Sequence, residues 1–446
     1  MKLKNRYNQH YWPNAKLATP IILAQAGQML VNLADTLMVG QVGTTPLAAA
    51  SFANSIFINI LYLGVGISFA LTPLVGKAFG ARNNQECAFW LKQGLWANLI
   101  IGGILTLIAG SFYFALPYLG QEESVWKEAG PYYLLMVLSI IPLQFFNTYK
   151  QFTEGLSNTK IAMIITIGGN ILNVLLNFIF IYGYFGMPAL GLFGAGIGTL
   201  VSRIAMAISF ALILPKIKRF KNYIKTDHNP ISLIAFKKII KLGIPIGLQF
   251  VIEIFAFSLG SIMMGWINAE SLAAHQIVLS LASLTYMMSS GLASATTIKV
   301  SIFRGKKLFN EIKNTAFASL HLVIMFMSFT GLLFFTLRYL LPSLFVNDQE
   351  VIILASSLMM IAAFFQIFDG IQVVSLGILR GLEDVVAPVV GAGIAYLLLS
   401  VPTGYLVTFI FDFGPVGIWI GYLVGLSSAG TFLLLRFRML YRRNYE

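Results

Sequence analysis

The sequence predicts an all-α integral membrane protein, with twelve transmembrane helices in two six-helix repeats around a central cavity. Three observations carry this prediction. The 446 residues are 57% hydrophobic and only 11% charged, with a mean hydropathy of +0.80, whereas a soluble domain carries about 25% charged residues. The apolar residues come in repeated runs of about 20, the length that crosses a bilayer as helix. The second half then repeats the first at an offset of about 225 residues. Disorder, a disulfide-rich secreted scaffold and a cytosolic enzyme are excluded. The single cysteine, Cys87, rules out an intramolecular disulfide and a multi-cysteine metal site.

The segments follow in order. Residues 15–39 form the first, with Pro20 inside it and Gln25, Gln28, Asn32 and Asp35 at helical spacing on one face. Ala24-Gln25-Ala26 has the look of a signal cleavage site, but the apolar run continues past it to Val39, so the segment is read as a retained helix. Segments 47–74, 93–117 and 130–149 are the next three hydrophobic spans. The fifth, 161–185, carries Asn170, Asn173 and Asn177 on one face, and the sixth, 191–214, holds Gly194, Gly198, Thr199 and Arg203. A long basic stretch, 215–239, links the halves. The second set comprises 240–264, with Gln249 and Glu253 one turn apart, and 272–298, opened by His275 and Gln276. It continues with 315–340, then 351–377 with Phe365, Gln366, Asp369, Gln372 and Ser375, and ends with 386–410 and 415–436. Helices are required because lipid offers backbone groups no partner.

The repeat pairs Pro20 with Pro245, Met38 and Gly40 with Met263 and Gly265, and Leu47-Ala48-Ala49 with Leu272-Ala273-Ala274. Gly66, Thr72 and Gly80 recur as Gly291, Thr297 and Gly305, and Glu154-Gly155-Leu156 resembles Arg380-Gly381-Leu382. An even number of spans per repeat gives both copies the same orientation, with a cavity expected where they meet. The expected organisation is an N-lobe at 1–214, a cytoplasmic linker at 215–239 and a C-lobe at 240–446. Two six-helix halves point to a transporter working by rocking.

All but three of the 30 Lys and Arg residues fall in one set of alternate loops and in the two termini. Lys127 and Arg338 lie on the other side, and Arg203 lies inside a span. Both termini are therefore expected in the cytoplasm. The net charge of +13 is a topology signal beside anionic lipid headgroups, not a nucleic-acid footprint.

Three of the 17 acidic residues lie well inside spans: Asp35, Glu253 and Asp369. An ionisable group in the bilayer is expensive and usually faces a cavity and does work; a structural ion pair or a neutral hydrogen-bonded carboxyl is the alternative, and Arg203 is the one intramembrane cation seen in the sequence. Asp35, Asn173, Asn177 and Thr199 offer hard oxygen groups of the kind that hold Na⁺ or hydrogen-bond a protonated carboxyl. Bonding between packed helices explains the asparagines equally well. His275 reads as a packing residue more readily than as a proton relay. Glycine pairs such as Gly194 with Gly198 read as helix packing. Phe255, Phe257, Met287, Met288, Phe364 and Phe365 are candidate cavity or core residues. Glu253 aligns with Gln28 and Asp35 with Gly260, so the scaffold was copied while the polar sites diverged. No P-loop, metalloprotease helix, serine elbow or Rossmann fingerprint is present, and nothing supports an enzyme.

The run Leu33-Ala34-Asp35-Thr36-Leu37-Met38-Val39-Gly40, the run Leu272-Ala273-Ala274-His275-Gln276, and Gln366 through Asp369 to Leu379-Arg380-Gly381 together resemble the multidrug and toxic compound extrusion (MATE) family over essentially the whole chain. The resemblance implies secondary active efflux of organic cations driven by Na⁺ or H⁺ entry, in a monomer of the plasma (inner) membrane without a cofactor. It matches Asp35, Asn173, Asn177 and Thr199 to the family's N-lobe polar site. It matches Glu253 and Asp369 to the C-lobe cation site of the NorM-like branch, with Na⁺ or H⁺ expected at either site. Gln28, Asn32, Gln249, His275, Gln276, Gln366 and Gln372 are the remaining candidates for the polar cavity. One departure is Phe365, where cation-binding members usually carry a tyrosine. A related flippase of lipid-linked sugars would call for several basic residues in the cavity, and a passive channel or receptor would not need several buried carboxylates.

Overall fold

The computed structural model describes residues 2–225 and 230–445; residues 226–229 of the expected linker lie outside them. Among the described residues, twelve helices are long and apolar enough to cross a membrane: α1 (Tyr7–Val42), α2 (Thr44–Gly80), α3 (Asn84–Tyr118), α4 (Glu123–Gly155), α5 (Thr159–Tyr182) and α6 (Gly191–Lys216), then α7 (Leu233–Ile267), α8 (Ala269–Gly305), α9 (Phe309–Thr336), α10 (Gln349–Gly381), α11 (Val386–Ile410) and α12 (Pro415–Arg443). Most run several residues beyond the apolar segments, because the helix continues into the polar flanks where water and headgroups take over from lipid. Their ends follow local chemistry. Asn83, Asn158, Asn268 and Asp348 accept hydrogen bonds from backbone N–H groups in the first turns of α3, α5, α8 and α10, as side-chain oxygens do at helix N-termini. Gly183, at φ +77°, ends α5 in the left-handed conformation.

The internal repeat extends to the backbone. Arg82 and Lys307, 225 residues apart, adopt φ +58° and +57°, and Ser157 and Glu383 adopt +59° and +62°. None is glycine, so each copy retains the same unfavourable turn without the residue that would relieve it. One feature is not duplicated. α11 winds as π-helix over Gly393–Ser400 and Leu406–Ile410, on either side of Pro402.

The chain forms two compact units: Met1–Ile22 with Leu248–Glu446, and Leu23–Gly247. The units do not follow the expected halves. In each repeat the boundary lies two residues after the internal proline, Pro20 in α1 and Pro245 in α7, where the backbone lacks an N–H for the helical ladder. The start of α1 is held in the unit of the second repeat, where Asn14 donates to Ser319 Oγ at 2.8 Å and to the Thr315 carbonyl at 3.3 Å. The start of α7 is held in the unit of the first, where Gln93 donates to the Pro230 carbonyl at 3.0 Å and accepts from the Ser232 N–H at 2.9 Å.

In the unit of Leu23–Gly247, α5 packs along α6, and α2 packs against both pieces of α4, which is interrupted at Ser139. A core around Phe57, Tyr133, Ile140 and Leu192 fills this bundle. In the other unit α10 is central and packs on α8, α9 and α12. Two apolar clusters serve it, one with Trp419, Tyr422 and Phe365, the other with Ala18, Val323, Ile378 and Phe437. The repeated glycines act at these contacts: a Cβ at Gly194 would meet the Phe180 carbonyl, and one at Gly421 the Ser400 carbonyl. Their packing reading is the one observed.

Candidate functional sites

Each unit contains a polar cluster built on a carboxylate. In the unit of Leu23–Gly247 the centre is Asp35 on α1. Asn177 Nδ2 donates to Asp35 Oδ1 at 2.7 Å. Asn173, one turn earlier on α5, satisfies both ends of its amide when its nitrogen faces Asp35 Oδ1 at 3.2 Å and its oxygen accepts from the Thr199 N–H at 3.3 Å; a carboxylate offers only acceptors, which fixes this orientation. Gly198 on α6 is required here, since a Cβ would occupy the place of Asn177 Oδ1. That oxygen is buried without a hydrogen bond, as is Asn170 Nδ2. Arg203, also on α6, donates to Ser139 Oγ at 2.5 Å, lies 5.8 Å from the Phe57 ring and interacts electrostatically with Asp35. The break in α4 at Ser139 thus receives the Arg203 guanidinium. Gln28 and Asn32 are exposed and bond to each other at 3.3 Å. The polar stripe of α1 therefore divides, with Gln28 and Asn32 apart from the asparagines that Asp35 engages.

In the other unit the centre is Glu253 on α7. Its Oε1 accepts from Gln249 Nε2 at 2.9 Å and from Gln372 Nε2, on α10, at 2.7 Å. Asp369, 6% exposed on α10, interacts electrostatically with Glu253 and has no hydrogen-bond partner among the described residues. One turn away, Gln366 Oε1 accepts from Thr285 at 2.8 Å while its Nε2 is buried and unpartnered, and Ser375 Oγ is likewise unpartnered. The buried Asp369 beside the part-buried Glu253 makes an environment rich in negative charge, which a cation or proton would relieve.

The remaining candidates lie in other surroundings. Trp419 Nε1 can only donate, and it reaches His275 Nδ1 at 3.2 Å; the His275 proton therefore sits on Nε2, 3.1 Å from Ser261 Oγ. His275 is fully buried and ties α7, α8 and α12 together. The adjacent Gln276 is exposed and donates to Ser261 at 3.4 Å. Phe365 packs edge-on to Phe257 and tilted against Trp419, with ring centroids 6.5 and 5.5 Å away. Phe255 and Phe364 point out of the unit.

Two members of this cluster are not among the polar-site candidates read from the sequence. Tyr396 on α11, 2% exposed, interacts electrostatically with both Glu253 and Asp369, so a phenol is present near the carboxylates although position 365 has none. The sequence places Arg380 in a cytoplasmic loop and leaves Arg203 as the lone intramembrane cation. Arg380 instead ends α10 with its guanidinium turned inward, Nη2 donating to Gln249 Oε1 at 3.0 Å. The spacing 369, 372, 376, 380 would have placed it on the face of Asp369.

The model of one protein family, MatE, matches this chain twice, over residues 20–179 and 245–406, so the duplication appears again. A protein named as a probable multidrug resistance protein NorM, from Rhizobium meliloti, is 33% identical over 98% of this chain and 95% of its own length. The multidrug resistance protein NorM of Vibrio vulnificus strain YJ016 is 32% identical, covering 99% and 98%. The crystal structure of the Vibrio cholerae MATE transporter VcmN in the bent form superposes with a TM-score of 0.87 at 21% identity, over 98% of each chain; at that identity the likeness concerns the fold.

Proposed function

The chain belongs to the MatE family, and on that premise we propose that it is a secondary antiporter exporting cationic and lipophilic organic compounds in exchange for Na⁺ or H⁺. The observation that carries the reading is that each unit of this multi-pass membrane protein encloses one carboxylate cluster, Asp35 with Asn173 and Asn177 in one, Glu253 with Asp369 in the other. A membrane scaffold with no task for these charges would lose stability by keeping them. The names of the NorM relatives support drugs and other toxic organic compounds as substrates.

In this reading the carboxylates carry the coupling. An incoming Na⁺ or proton neutralises them, and an organic cation competes for the same negative charge, so the two occupy the protein in alternate states. The ion shifts the balance between states by binding one more tightly than the other. The protein acts as a monomer in the plasma membrane with both termini in the cytoplasm. The test is ethidium and norfloxacin transport by the purified protein in proteoliposomes, with Na⁺ and H⁺ gradients imposed separately. Uphill movement under either gradient supports the proposal; no movement of either compound under both gradients overturns it.

A further inference from the structure

The chemistry above gives Arg380 no task, yet it is joined to the centre of the site. Its Nη2 donates to Gln249 Oε1 at 3.0 Å, and the amide nitrogen of Gln249 donates to Glu253 Oε1 at 2.9 Å. The guanidinium carbon lies 4.9 Å from the centroid of the Phe250 ring and the group interacts electrostatically with Glu253. The corresponding position of the first repeat is Glu154, which is also buried, at 2% exposure. The copied scaffold therefore carries opposite charges at this place, and the positive one belongs to the unit with two carboxylates.

A guanidinium stays charged under all physiological conditions. In this part-buried setting its field on Glu253 is less screened than in bulk water, and its hydrogen bond to Gln249 orients the amide so that the nitrogen faces Glu253. We propose that Arg380 is a built-in counter-charge of the Glu253–Asp369 site, a positioning and specificity residue that holds Gln249 on Glu253 and restricts the site to one monovalent cation. This rests on the reading that these carboxylates take the coupling ion. With both carboxylates ionised, the guanidinium leaves one net negative charge, which a single Na⁺ cancels; a divalent ion overshoots. Without Arg380 the site holds two negative charges, so Na⁺ binds more tightly and is released poorly, and a divalent ion becomes a fitting occupant.

The experiment is ²²Na⁺ binding to the full-length purified protein at fixed pH, with Ca²⁺ as competitor, following the part of the binding that Glu253→Gln removes. Arg380→Gln is expected to bind Na⁺ about tenfold more tightly and to become sensitive to Ca²⁺. Arg380→Lys, which keeps the charge in a milder substitution, stays within about threefold of the wild type and insensitive to Ca²⁺. A purely structural role for Arg380 predicts the reverse, weaker Na⁺ binding in both variants. A folded Arg380→Gln protein with unchanged or weaker Na⁺ affinity overturns the inference, and so does loss of Na⁺ binding in Arg380→Lys should the glutamine variant fail to fold. If the wild type shows no Na⁺ binding that depends on Glu253, the reading of the carboxylate pair as a Na⁺ site fails and the inference with it.

Discussion

Glu253 and Asp369 differ in their surroundings, although the sequence presents them as a pair. Glu253 accepts two amide N–H groups, whereas Asp369 has no such bond among the described residues. If they share one ion, Glu253→Gln and Asp369→Asn each lower coupled efflux, and the double variant is little worse than either. Independent sites would instead show losses adding on the free-energy scale, and initial rates of ethidium efflux distinguish the two. Asp35 stands in the other unit with Asn173 and Asn177. Asp35→Asn keeps the size of the side chain and removes its charge, so the protein should fold and elute as a single species yet lose drug-stimulated turnover. Normal efflux by that variant would remove Asp35 from the coupling mechanism. Asp35, Glu253 and Asp369 were legible in the sequence because an acid within an apolar run is costly and conspicuous. Arg380 was not, because an arginine at the end of a span looks like any interfacial residue and only the direction of its long side chain decides. Tyr396 was missed for a related reason: a tyrosine among apolar residues gives no sign of what its hydroxyl faces.

At the level of the helices, periodicity and the repeat located all twelve spans, but the division of labour within them needed coordinates. Gln28 and Asn32 share a face with Asp35 by spacing, and still bond to each other at the surface. Helix contacts are set by small residues whose partners the sequence does not name. Gly377 of α10 is one: a Cβ there would meet the Ala293 carbonyl of α8, so the two backbones touch where the central helix packs. Gly377→Ala should destabilise the folded protein by about 1–3 kcal/mol through overpacking. Gly168 of α5 has nothing within 4 Å of its would-be Cβ, and Gly168→Ala should leave the protein as stable or slightly more so. Thermal unfolding of the two purified variants tests this; equal behaviour would mean that the α8–α10 contact is not tight. The π-helical turns of α11 had no sequence signal except Pro402, since π and α winding place the same apolar residues in lipid.

For the whole molecule, the sequence specified class, span number and duplication, because bilayer thickness and backbone satisfaction leave few options. The assignment of chain to units was not readable from it: the halves suggested a division in the linker, whereas each unit also takes the leading segment of the other repeat, up to two residues past Pro20 or Pro245. Orientation is the property for which the sequence remains the stronger guide, because it depends on the insertion of short basic loops and not on packing. The bias is large, with only Lys127 and Arg338 in loops opposite to the rest. It makes a direct prediction. The one native cysteine, Cys87, is buried and can be replaced by alanine. In that background Lys127→Cys, whose lysine is exposed, pairs with Glu123 one turn away at 2.6 Å and lies 5.9 Å from the Trp126 ring, should react with a membrane-impermeant maleimide on intact cells. Lys306→Cys, in the exposed turn between α8 and α9, should react only after the cells are opened. The Lys and Arg bias of the short loops sets the orientation of the chain as a whole, so a mixed pattern is not expected. Labelling of position 306 on intact cells would reverse the orientation, and with it the direction in which the proposed cation gradient drives efflux.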